Sequence, residues 1–251
     1  MVIMKNALRE RIRRKDIYVV IVIGLMVILM CMSGAVTLTV DGVPVTEFTR
    51  MMPFVLHVVS VIGGAMAVAL SLRTIPAEYE RKTSHLVWIR GISQWDYHGQ
   101  LALANMAASV GALFILYAGV MVFAGMKGEM GVLFRGLPGF LMYAVGTAGV
   151  SLFTSALSLK LPGMAAGTVS AGLMLAGTMS PVAETLSGIV SGIPRAVLKL
   201  LLLLTPDLYG MEAQAGRFLL GEAVDVHSLA GGFLFLYVGG MLLFLLRKKE
   251  A

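Results

Sequence analysis

Charge is scarce in this sequence. Only 14% of the 251 residues are charged, against roughly a quarter in a soluble domain. Cysteine is almost absent: Cys31 stands alone, which excludes an intrachain disulfide and a cysteine-based metal site. The G-x-x-x-x-G-K-[ST] phosphate loop is missing, so nucleotide is not bound that way. The H-E-x-x-H metal signature and the G-x-S-x-G nucleophile turn are missing too. The histidines, His57, His85, His98 and His227, are scattered. An intramembrane protease or a metalloenzyme therefore lacks its parts, and the chain reads as no enzyme.

What the sequence has instead is apolar length. Hydrophobic residues make up 58% of it, and they come in runs rather than stripes. A helix needs about 20 such residues to cross ~30 Å of hydrocarbon. Six stretches qualify or nearly so: 17–37, 53–72, 101–124, 139–159, 164–190 and 228–246. The expected fold is all-α, one polytopic transmembrane domain over residues 1–251 with six membrane helices.

Placing the N-terminus in the cytoplasm puts fourteen of the twenty Lys and Arg residues inside. The positive-inside rule favours that orientation, with both termini cytoplasmic. Met4, Leu8 and Ile12 recur at four-residue spacing among Lys5, Arg9, Arg11, Arg13 and Arg14. Residues 2–15 thus read either as a basic amphipathic helix lying in the headgroup layer or as a basic leader that only sets topology. The first apolar run continues through Val27–Met32 without a small-x-small cleavage site, so it reads as a retained span.

The loop from Arg73 to Gln100 carries helix signals. Pro76 suits a first turn, and Glu78 and Glu80 suit the positive end of the helix dipole. Tyr79, Thr83, Leu86 and Val87 share one face, Arg90 falls in the last turn, and Gly91 suits a left-handed cap. Ser93 with Asp96 then resembles a capping box leading into the third span. On the other side, Ala196–Thr205 is apolar but too short to cross, which fits a re-entrant or interfacial helix over 194–205. Gly163, Gly167 and Ala171, and the pairs Gly231–Gly232 and Gly239–Gly240, mark close helix contacts.

Ionisable residues within spans are functional suspects. His57 and Glu184 lie near span ends, where each is expected to reach the interface. Met30, Cys31, Met32, Met51 and Met52 with His57 offer soft ligands suited to Cu(I); the same methionines serve equally as apolar filler. No acidic residue is expected near the midplane, which weighs against a proton- or sodium-coupled carrier.

The stretch Ile75–Leu86 after the second span resembles the cytoplasmic segment of type-2 ABC transporter permeases. The turn Gly91–Ile92–Ser93 follows, and Gly99–Gln100 stands where that family has Gly-Lys. The layout matches over nearly the whole chain: basic N-terminal helix, six spans, a short apolar excursion before the last span, and a basic tail. The resemblance implies a permease subunit, an exporter in the cell membrane. Residues 76–90 would be the coupling helix that docks on a separate ATPase, through Glu78, Tyr79, Thr83, Leu86, Val87 and Arg90. The interfacial helix would touch the same ATPase through Leu8, Arg9, Ile12 and Arg13. Pro194, Leu201 and Pro206 would belong to an outer gate. It further implies a second permease chain, identical or homologous. ATP and Mg would be bound by the ATPase, with no cofactor in this chain and no nucleic acid as partner. A secondary transporter or channel, and a scaffold that moves no cargo, are the alternatives.

Overall fold

The computed structural model describes residues 2–13, 16–32, 39–40, 43–44, 48–80 and 91–246. The first helices are α1 (Val2–Arg13) and α2 (Asp16–Met32). A two-residue antiparallel ladder, β1 (Thr39–Val40) with β2 (Val43–Pro44), comes next. Then follow α3 (Phe48–Leu72), α4 (Thr74–Glu80), α5 (Gln94–Met126) and α6 (Met130–Leu157). The chain continues through α7 (Gly163–Thr178), α8 (Ser180–Ile189), α9 (Ile193–Leu204), α10 (Leu208–Leu220) and α11 (Val226–Leu245).

Three of the described helical stretches are long and apolar enough to cross a membrane: Met51–Glu80, which joins α3 to α4, Gln94–Met126 and Met130–Leu157. At 1.5 Å per residue, α5 alone runs about 50 Å. Its start is the expected one. Gly91 takes φ 75°, and Ser93 Oγ accepts from the Asp96 amide at 3.1 Å, satisfying an orphan donor of the first turn.

The outer surface is rich in large apolar side chains, unlike that of a water-soluble protein, and polar side chains are buried within the apolar core. Large apolar side chains such as Phe134, Leu137, Leu141, Leu234 and Tyr237 are exposed, while Asn105, Ser71, Ser109 and Ser151 are fully buried. Helix α6 is the hub and packs against α3, α5, α10 and α11. Small residues set those approaches. A Cβ on Gly149 would lie 2.6 Å from the Phe235 ring of α11, and one on Gly63 would lie 2.6 Å from Leu113 of α5. Of the glycines singled out in the sequence, Gly167 meets Leu72 and Gly239 meets Leu152, whereas Gly231 faces open space.

Two regions differ from expectation. The stretch 164–190 is two helices, not one. Met179, at φ −101° and ψ 17°, ends α7 and precedes α8. The cause is Pro181, whose ring would clash with the carbonyl of Gly177 in a continuous helix. At 16 residues, α7 spans about 24 Å, short of the ~30 Å hydrocarbon layer. The stretch 193–220 holds two helices where the sequence marks one. Asp207 caps the second, α10, by accepting from the Gly210 amide at 2.8 Å, and Gly221 ends it at φ 86°. Helix α10 packs inside the bundle against α6 and α3, burying Leu208, Met211, Glu212, Ala215 and Leu219. Its Glu212, Gln214 and Arg217 interrupt any apolar run, so hydropathy does not reveal it.

Candidate functional site

At the end of the bundle where α3 gives way to α4, three elements meet around one guanidinium. Arg11 of α1 is only 8% exposed. It donates to the Leu70 carbonyl at 2.5 Å, to Thr74 Oγ1 and to Asn105 Oδ1. Asn105 is itself fully buried on α5 and donates from Nδ2 to Ser155 Oγ of α6 at 2.7 Å. A charge this deep is tolerable only when it is hydrogen-bonded. Here the groups that accept from Nη2 come from the last turn of α3, the first residue of α4, and α5. One side chain thus binds the amphipathic helix to the bundle.

The bonding continues inward as a seam of hydroxyls. Ser71 of α3 and Ser151 of α6 lie 2.8 Å apart, and Ser109 of α5 donates to Ser151 at 3.4 Å. Such interhelical bonds in a membrane bundle add about 0.6 kcal/mol each. Their main effect is to fix the rotational setting of the three helices.

Helix α4 is anchored separately. Ile75 is fully buried with Tyr97, Leu101 and Leu159. Tyr79 Oη lies 2.7 Å from His98 Nε2, and Tyr97 Oη donates to Glu78 Oε2 at 2.9 Å. Each pair spans 19 residues of sequence, so α4 is stitched to the start of α5. A cavity of about 480 Å³ opens between α1, α3 and α4, walled by Ala7, Glu10, Arg11, Leu70, Arg73 and Glu78.

Of the predicted contact residues, Glu78 and Tyr79 fall on α4. Thr83, Leu86, Val87 and Arg90 lie outside the described residues. On α1, Leu8 is half-buried and Arg9 and Arg13 are exposed; the side chain of Ile12 is outside the described set. Pro194 is exposed on α9, and Pro206 is half-buried. The Pro206 main-chain oxygen lies against Gly177, where a Cβ would collide with it. Leu201 falls within α9, its side chain outside the described set. Glu78 and Tyr79 come together with Tyr97 and His98; the proline pair forms no cluster with them.

Sequence reasoning counted Arg11 as one more positive charge and missed its role. The face of α1 turned to the bundle carries Ile3, Ala7 and Arg11, one position round from the Met4–Leu8–Ile12 stripe. The four-residue spacing of Ile3, Ala7 and Arg11 was the available signal. Among the described residues, no group of three or more His, Cys, Asp or Glu is placed to hold a metal ion.

No family model matches this sequence, and neither a curated protein nor a solved structure matches it.

Proposed function

We propose that this chain is the membrane-spanning permease subunit of an ABC transporter of the type-2 exporter kind. It would have six spans and cytoplasmic termini, and a separate ATPase subunit would drive it. The observation that carries the reading is the Arg11 clamp. It ties an N-terminal basic helix, the α3–α4 corner and, through Asn105 and Ser155, α5 and α6 into one unit. A subunit that receives force from a partner needs such a handle, because a push on a loose loop is lost as loop motion. In this mechanism ATP binding closes two ATPases on each other, and their docking surfaces carry α1 and the 76–90 segment with them. The clamped helices tilt as rigid bodies and open a pathway between two permease chains. The hydroxyl seam and the small-residue contacts keep those bodies rigid.

The test is coupling. The chain is expected to co-purify with an ATPase. Replacing Glu78 or Leu86 with a bulky residue of opposite character is expected to leave ATP hydrolysis running while transport falls. Full coupling in both variants counts against the proposal.

A second reading, a proton-coupled carrier, draws support from one observation. Glu212 of α10 is buried in the bundle and paired with His57, an inward acidic residue that the sequence does not suggest. The chain reconstituted alone with a proton gradient separates the two: gradient-driven flux without an ATPase favours the carrier.

A further inference from the structure

The middle of α3, three to four turns before the Arg11 contact, holds a second buried polar cluster. Glu212 comes from α10, and its side chain is 8% exposed. His57 Nδ1 lies 2.8 Å from Glu212 Oε2, and Ser60 Oγ donates to Glu212 Oε1. His57 and Ser60 stand one turn apart on α3, so one helix face holds both oxygens of the carboxylate. The imidazole is 34% exposed, which leaves the pair reachable from outside the bundle. On the inner side, Ser60, Tyr143, Thr147, Thr178 and Glu212 border a cavity of about 20 Å³, room for roughly one water molecule.

The neighbouring groups leave this pair as the centre of the site. From α6, Tyr143 Oη donates to the Glu212 main-chain oxygen at 3.1 Å, and Tyr117 of α5 lies 5.9 Å from Tyr143, ring to ring. Tyr209 meets the His57 ring edge-on at 5.7 Å. Asp207 caps α10 and accepts from Ser180 of α8 at 3.0 Å. Helix α7 has no titratable residue. Arg217 of α10, Glu184 of α8, and His227 and Tyr237 of α11 are exposed.

We propose that His57 and Glu212 form a proton-binding site that sets how firmly α10 is held to α3. With Nδ1–H given to Glu212, the ring's other nitrogen, Nε2, is the acceptor for an incoming proton. One proton is taken from solvent, no bond is broken, and the net charge of the pair goes from minus one to zero. The contact changes from a neutral donor on a carboxylate to an imidazolium–carboxylate pair, the stronger kind of bond. Proton binding and the docking of α10 therefore reinforce each other by linkage. This site acts on the bundle whether an ATPase or a gradient drives the protein.

Hydrogen exchange of residues 208–220 in lipid nanodiscs tests this at about pH 6 and about pH 8, with intrinsic chemical exchange divided out. In wild type the opening of α10 is expected to be about tenfold rarer at the lower pH, the effect of roughly one stronger charged contact. His57→Gln keeps a donor toward Glu212 but cannot take the proton, so its α10 exchange is expected not to depend on pH. Ser60→Ala keeps the pair and is expected to retain the pH response. Wild-type exchange that does not change with pH overturns the proposal, as does a response retained in His57→Gln. Should His57→Gln fail to fold, ring-¹⁵N spectra of the wild type decide, since the chain has only 4 histidines. A His57 signal that does not titrate over that range overturns it equally.

Discussion

Two levels of α3, its last turn and its middle, solve the same problem with different chemistry. Each docks a short helix on the bundle through a buried charge: Arg11 of α1 at the last turn, Glu212 of α10 at the middle. Arg11 is a permanent cation, and Leu70 O, Thr74 and Asn105, which accept from it, do not titrate. Glu212 is held by an imidazole and a hydroxyl, and the imidazole changes charge near neutral pH. The first is a fixed joint. The second is a joint whose grip depends on conditions.

The comparison breaks most sharply at Arg11. Arg11→Met is expected to destabilise the α1 end by about 3–5 kcal/mol, the usual loss when one partner of a buried, hydrogen-bonded charge is removed. Reversible unfolding in mixed micelles measures it, and a loss under about 1 kcal/mol means that the guanidinium does not hold the helix. Glu212→Ala is expected to cost less, about 2–3 kcal/mol, because His57 is partly exposed and can turn to water. The same unfolding assay applies, with loss of exchange protection confined to 208–220. A cost equal to that of Arg11→Met erases the distinction between the two joints.

Smaller effects sharpen the middle of the bundle. Gly149→Ala places a methyl against Phe235 and is expected to cost about 1–3 kcal/mol by overpacking. A paired Phe235→Leu substitution restores much of it, which thermal melts of the single and double variants would show. Tyr79→Phe removes the bond to His98 and is expected to cost about 1 kcal/mol. Arg9→Ala and Arg13→Ala touch exposed side chains on α1. They are expected to leave the melting temperature unchanged, which isolates Arg11 as the residue that matters among the basic ones.

Much of the architecture was legible because apolar length is a coarse, strong signal. The three long helices were visible as runs, and the start of α5 was visible as Ser93 with Asp96. What escaped was whatever depends on partners distant in sequence. Arg11 reads as topology-setting charge until Asn105, 94 residues on, turns out to face it. His57 reads as a side chain reaching for water until α10 brings Glu212 to it. Helix α10 itself was hidden because a buried element that pairs polar groups across the bundle need not be uniformly apolar. The break at Met179 was half-visible in Pro181, but apolar length outweighed it.

The chain order of the Glu212 cluster has a consequence for biogenesis. His57 and Ser60 precede Glu212 by 155 and 152 residues, and Tyr143 precedes it by 69. The ribosome therefore delivers every donor before it delivers the carboxylate. When α10 emerges, its one buried acid meets a socket already lined, so the costliest group to leave in lipid is the one with the least time to wait for its partners.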